Sequence, residues 1–320
     1  MSILKKLTPT NLLEEKEKFF ADEKYNPQFK YEEDATNEIL NKYGQPNPQT
    51  ADLAQTIIDQ AYYQKTETEL RELRGPRVNQ KEVEDKIIKF LDMHGLKERF
   101  KLVWSNSFVA RATITNNTIK LRSPIDFRQL DLLSMIYHEI GTHALRRINY
   151  EQQPWFQKKK EYKFKNYLQA EEGLAALHSL LPQNFQLAYQ PALNYMAVKY
   201  AQEHSFAELW QFLTPYIDNL DRRWIFAFRK KRGLTNTSQP GGFTKDLLYF
   251  EGMIKVWQYL KKHNFDITNL YFGKMALEDI DKAVEMNPDF KPLLPSFFVV
   301  DKNKYANNLE KIGKINMLRM

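Results

Sequence analysis

The sequence predicts a mainly helical α+β fold with one small sheet. Three observations lead to this. Apolar residues recur at helical spacing along most of the 320 residues. One short tract, residues 101–122, is rich in β-formers on either side of an Asn-Asn pair. Just downstream, His138-Glu139-Ile140-Gly141-Thr142-His143 sets two imidazoles and a carboxylate into an apolar, helix-like pattern. The chain is therefore expected to divide into an N-terminal helical region, 1–100, and a catalytic domain, 101–320.

In the first region, Leu12 to Ala21, Asp34 to Tyr43, Ala51 to Leu73 and Lys81 to Met93 carry apolar residues at helical spacing. Gly44, Pro46, Pro48, Gly75 and Pro76 punctuate them, and Thr50 and Asn79 are N-cap candidates. No residues here have catalytic spacing, so the region reads as a helical cap on the catalytic part. His94, followed by Gly95, suits a helix C-terminus better than a metal.

Lys101 to Trp104, Phe108 to Thr115 and Thr118 to Arg122 read as strands, with Asn116-Asn117 as a hairpin turn. Phe108 to Thr115 is the candidate for holding an extended peptide by strand addition. Arg111 on it faces either such a cleft or, as is commoner for arginine, solvent.

The histidine segment follows. Asp126 is a cap candidate, with Gln129 three residues on, and Ile125 and Leu130 can pack across the cap. Leu130, Leu133, Ile136, Ile140, Ala144 and Ile148 continue an apolar stripe that anchors the helix. Neutral imidazole is a common zinc ligand, and Glu139 beside the first histidine can serve as general base. In the metalloprotease motif HExxH the histidines lie four apart and share one helix face. Here they lie five apart, and at about 100° per residue a regular helix separates them by roughly 140°. A π-turn brings residues i and i+5 nearly into line, and Gly141 between them makes that distortion cheaper.

A metal site needs a third ligand. Gln169-Ala170-Glu171-Glu172-Gly173-Leu174-Ala175-Ala176-Leu177 reads as a helix whose Gly173, Ala175 and Ala176 would let it approach the histidine helix closely. A glutamate at such a contact would be nearly buried, and buried carboxylates are paired or metal-bound. The remaining chain is helical: Leu193 to Gln202, Phe206 to Phe212, Asp221 to Lys230, Lys245 to Lys261 and Tyr305 to Ile312. Pro182, Pro191, Pro215, Pro240, Pro288, Pro292 and Pro295 mark breaks. His178, His204 and His263 have no partner motif and read as structural or surface residues. These parts assemble as a zincin-like core with a small sheet.

HEIGTH followed by EEGLA resembles the HExxxH metallopeptidases of the microtubule-associated tyrosine carboxypeptidase family and their bacterial QEGLA-motif relatives. Gly241-Gly242-Phe243-Thr244-Lys245-Asp246-Leu247-Leu248-Tyr249 is similar to the family's GG-x-TKD-x-x-Y stretch. The resemblance runs from about residue 100 to the C-terminus. It implies a zinc carboxypeptidase, one Zn2+ per chain, with His138, His143 and a glutamate as ligands and Glu139 as base. Matching EGLA makes that glutamate Glu172, with Glu171 in the Gln position and in reserve as ligand. Such a mechanism also calls for an oxyanion donor, for which Tyr249 is the candidate, and a cation for the substrate carboxylate, Lys245 first and Arg229 next. The implied substrate ends in tyrosine or another aromatic.

Composition narrows the partners. Lys and Arg number 47 and Asp and Glu 40, a net charge of +7. Lys158, Lys159, Lys160, Lys163 and Lys165 form one basic cluster and Arg229-Lys230-Lys231-Arg232 another. They read as solvated faces, or alternatively as a surface for an acidic tail. No zinc finger, phosphate loop or RNP-like motif points to nucleic acid. There is no cysteine, no apolar run of membrane-spanning length and no secretory pattern in the first residues. A cytoplasmic peptidase is expected, without nucleic-acid or membrane partners. The competing reading is a non-catalytic helical binding protein that works through its basic patches.

Overall fold

The computed structural model describes residues 3–106 and 111–319. It is mainly helical with one three-stranded mixed sheet. Grouped by internal contacts, the described chain makes two compact units. One joins Met1–Arg71 to Ala188–Phe250, and the other joins Glu72–Leu187 to Glu251–Met320.

The first unit is helical. Leu12–Ala21 forms at the bounds its periodicity predicts. Phe19 from this helix meets Phe206 and Trp210 edge-on, each with ring centroids 5.0 Å apart, in a fully buried aromatic cluster. The helix expected over residues 34–43 shrinks to Asn37–Leu40, capped by Thr36. Ala51 to Leu73 divides into Pro48–Tyr62 and Glu67–Glu72. The cap of the former is Asn47 rather than Thr50, because Pro48 occupies the first helical turn, where a missing N–H costs nothing. Pro191 likewise lies in the first turn of Tyr189–Glu203 instead of breaking it.

The second basic run is not a solvated face. Lys230 and Lys231 are buried in the first unit. Lys230 Nζ donates to Asp246 Oδ2 and Asn194 Oδ1, both at 2.5 Å. Lys231 Nζ donates to the carbonyls of Ala201, His204 and Gln239. Arg229 Nη2 reaches the other oxygen of Asp246 at 2.7 Å. Gly242 fits over the carbonyl of Lys230, where a Cβ would come within 2.1 Å of the oxygen. The GG-x-TKD stretch and the basic run thus form one buried network.

The second unit holds the sheet and the histidine helix. Gln80–Asp92 starts with the Asn79 capping box that its sequence predicts. Strands β1 (Lys101–Ser105), β2 (Ala112–Thr115) and β3 (Thr118–Arg122) are ordered β1-β3-β2. β2 and β3 are antiparallel, joined by Asn116-Asn117, and Thr115 faces Thr118. Asn116 takes a φ of +51°, which asparagine tolerates. β1 joins β3 in parallel, and β2 is an edge strand that lies against the histidine helix. Phe108 to Ala110, the start of the strand expected over 108–115, lie outside the described residues.

The helical run over residues 129–151 has three parts: α-helix Gln129–Met135, π-helix Ile136–Ala144 and α-helix Leu145–Glu151. Its N-cap is Arg128, without a side-chain bond, so Asp126 is not the cap. The chain enters through other bonds, Gln129 N–H to Pro76 O and Leu130 N–H to Arg74 O. Leu168–Leu180 carries Glu171 and Glu172 and packs on the π-helix. Its Gly173 serves a different neighbour than expected. A Cβ there would lie 2.1 Å from the backbone of Gly252 in helix Leu247–Lys262, so these two glycines let two helix backbones touch.

Candidate active site

The π-helix brings together what a regular helix would separate. The rings of His138 and His143 lie 4.9 Å apart, edge to face. Ligand atoms of His138, His143 and Glu172 all lie within 4.8 Å of one another, a grouping that can hold a metal ion. The wide turn is held from several sides. Thr142 Oγ1 donates to Tyr137 O, five residues back, at 2.8 Å. Tyr271 OH donates to Gly141 O at 2.6 Å. A Cβ on Gly141 would lie 2.7 Å from Phe297 Cε1, so close packing favours glycine there.

Each histidine is oriented by a bond to Nδ1. Ser179 Oγ donates to Ala175 O at 2.9 Å, which leaves it to accept from His138 Nδ1–H at 3.0 Å. His143 Nδ1 donates to Glu171 Oε1 at 2.9 Å, while its Nε2 lies 3.6 Å from Glu172 Oε2. The two glutamates are thus sorted. Glu172 joins the metal-competent group, and Glu171 lies behind the ring, bound also to Lys274 Nζ at 3.0 Å and to Arg146 Nη1. Burial raises the Glu171 carboxyl, but Lys274, Arg146 and His143 outweigh it and hold the group well below the usual carboxylate range.

Glu139 is half-buried next to the first histidine. Burial, helped by the charge of Glu172, pushes its carboxyl up to about 7 against the pull of His143 and Lys274. His178 is structural, as expected. Thr142 Oγ1, its proton committed to Tyr137 O, accepts from His178 Nδ1 at 2.7 Å, and His178 Nε2 accepts from Tyr305 OH at 2.9 Å. Burial holds that ring neutral, pushing it down to about 3. His94 bonds Phe90 O through Nδ1 and takes the Ser296 N–H on Nε2, the helix-end role its position predicts.

The other candidates are distributed differently. Arg111 points at Asp131 of the histidine helix, Nη1 to Oδ2 at 3.7 Å, and lies over the ring of Phe127. Arg229, Lys245 and Tyr249 belong to the first compact unit, where Arg229 pairs with Asp246. Of the Lys158–Lys165 cluster, Lys159 is half-buried over the Tyr167 and Tyr150 rings, and the other four lysines are exposed. Sequence reasoning missed Arg146, Lys274, Ser179 and Tyr271. For Arg146 a signal existed, since it sits three residues after His143 on a helix whose neighbours Leu145 and Ile148 are core residues.

Two imidazoles and a carboxylate that can share a cation, with the half-buried Glu139 alongside, are a donor set suited to metal-assisted hydrolysis. The family model for microtubule-associated tyrosine carboxypeptidase matches residues 31–289. The chain is 31% identical to microtubule-associated tyrosine carboxypeptidase 1 of Mus musculus, over 98% of this chain and 68% of that protein. The Rattus norvegicus protein of the same name is 32% identical and the Homo sapiens one 31%, with the same shares covered. The chain belongs to the microtubule-associated tyrosine carboxypeptidase family, and with it to the carboxypeptidases.

Proposed function

We propose that this carboxypeptidase is zinc-dependent and removes a terminal tyrosine or other aromatic residue from peptides or proteins in the cytoplasm. The observation that carries the reading is the convergence of His138, His143 and Glu172 across the π-helix, with Glu139 half-buried beside them. The donor set fits zinc: two imidazoles, each with Nδ1 engaged by a protein partner so that Nε2 is left to coordinate, and one carboxylate. When bound, zinc polarises the scissile carbonyl and lowers the pKa of water toward neutrality.

The chain's own residues do the rest. The Glu139 carboxylate accepts a proton from the attacking water and returns it to the leaving amine. Burial, which raises the Glu139 carboxyl, favours a group that can hold the proton between the two transfers. Edge strand β2, beside the histidine helix, offers backbone groups to an extended substrate. Tyr249 is the proposed oxyanion donor, and Lys245, then Arg229 or Arg111, the proposed partners of substrate anionic groups. The zincin-like description of the core, with 101–320 as the catalytic domain, is part of the same reading. The relatives are named tyrosine carboxypeptidases, which favours a protein or peptide C-terminus as substrate; the exposed lysines of 158–165 are the reason for proposing an acidic tail on it.

The test combines metal analysis with a peptide-library digest read by mass spectrometry. One zinc per chain, lost in His138→Ala and His143→Ala, together with loss of single C-terminal residues, is the expected result. Cuts mainly at internal bonds, or full activity without zinc, would overturn it.

A further inference from the structure

Resting on that reading of the metal centre, we infer that Glu171 and Arg146 are positioning residues: Arg146 clamps Glu171, and Glu171 fixes the His143 ring with Nε2 toward the metal. The bonds form a chain. His143 Nδ1 donates to Glu171 Oε1, and Arg146 Nη1 donates to Glu171 Oε2. Arg146 is buried, and its Nε donates to Leu270 O at 2.9 Å and its Nη2 to Met275 O at 3.4 Å. The guanidinium is thus gripped by one segment, 270–275, and cannot swing without breaking backbone bonds. Lys274 of the same segment holds Glu171 Oε1. Tyr271, also from it, bonds Gly141 O in the π-helix. One short segment therefore fixes both the wide turn and the carboxylate that orients its second histidine.

Charge and position make opposite claims about Arg146, which allows a test by sign. The carboxylates of Glu139, Glu171 and Glu172 lie close together, and Glu171 among them pairs with the two cations Arg146 and Lys274. Removing the Arg146 charge makes the site more negative. If Arg146 acted only through its charge, a dication would then bind more tightly. If it positions Glu171, zinc binds more weakly, because the carboxylate that holds His143 is released.

The measurement is the zinc Kd of the full chain by competition with a chromophoric chelator. Arg146→Gln and Arg146→Lys are both expected to weaken zinc binding by about tenfold or more, the range typical of residues that orient a metal ligand. Arg146→Gln binding zinc as tightly as the parent, or more tightly, would overturn the inference. If the Arg146 variants fail to fold, Glu171→Met decides, through 15N NMR of the metal-free protein at about pH 9, where imidazole is neutral. The parent should show His143 as the Nδ1–H tautomer, and Glu171→Met should shift it toward Nε2–H; an unchanged tautomer overturns the proposal. A parent chain that binds no zinc yet shows the locked tautomer would sink the metallopeptidase reading and leave the positioning role standing.

Discussion

The hydroxyl of Tyr271 lies 2.6 Å from the carbonyl oxygen of Gly141 and donates to it midway between the two histidines of the π-helix. Both residues are buried, so no water replaces that bond if it is lost. Tyr271→Phe is expected to destabilise the fold by about 1–3 kcal/mol, the usual cost of a buried polar atom left without its partner. Urea unfolding followed by circular dichroism measures it. A midpoint identical to the parent's would show that the bond does not hold the turn.

Gly141→Ala should be costly for a different reason. The new methyl would meet Phe297 at 2.7 Å, so the ring must move. A loss of about 1–3 kcal/mol is expected, typical of overpacking. Phe297→Leu in the same chain should recover part of it. Equal stability of the single and double variants would remove the steric argument.

The ligand assignment separates Glu172 from Glu139. Glu172→Ala should lose zinc. Glu139→Gln should keep zinc and lose turnover, because an amide cannot accept the proton. Zinc content by elemental analysis and rates on a free-acid peptide check both. A fully metallated Glu172→Ala variant, or normal turnover by Glu139→Gln, would reverse the respective role.

Asp246 predicts the response to acid. Burial raises its carboxyl, but Arg229 and Lys230 outweigh this and hold it well below the usual range. The folded pKa is depressed, so its contribution is present above the unfolded value of about 3.9 and is lost as pH falls below it. Asp246→Asn should be less stable than the parent at pH 7, since Lys230 stays buried without its carboxylate. The gap should narrow toward about pH 3. Denaturant midpoints at the two pH values measure the gap, and a gap that is constant or widens in acid contradicts the assignment.

For substrates, amidating the C-terminus removes the anion that the proposed cationic partner would meet. A drop in kcat/KM of at least about tenfold, or roughly 1.4 kcal/mol, is expected. Lys245→Ala should shrink that difference. Neutralising the exposed Lys158, Lys160, Lys163 and Lys165 should slow acidic-tailed substrates at low salt only. Comparable cleavage of free-acid and amidated peptides would argue for an endopeptidase.

Much of this was legible in the sequence where one dimension suffices. Periodicity located Leu12–Ala21, and the Asn-Asn pair located the β2–β3 turn. The π-helix followed from an angle, since histidines five apart cannot share a metal on a regular helix. Partners distant in the chain were not legible. Lys230 and Lys231 read as solvated because lysine is seldom buried, and Asn194 and Asp246, distant in the chain, make Lys230 an exception. Glu171 and Glu172 look alike as letters, and their division depends on Arg146 and Lys274 arriving from elsewhere. The spacing of Gly173 marked a close approach but assigned it to the histidine helix, whereas its neighbour is Gly252.

The wide turn also bears on how such a motif can change length. In a regular helix one extra residue rotates everything beyond it by about 100°. Here the additional residue is absorbed between the histidines, and the flanks keep their phase: Leu132 and Met135 before it, and Leu145 and Ile148 after it, remain buried. A helix that can widen by one residue thus lets histidines five apart face together while both flanking helical segments keep their apolar residues buried.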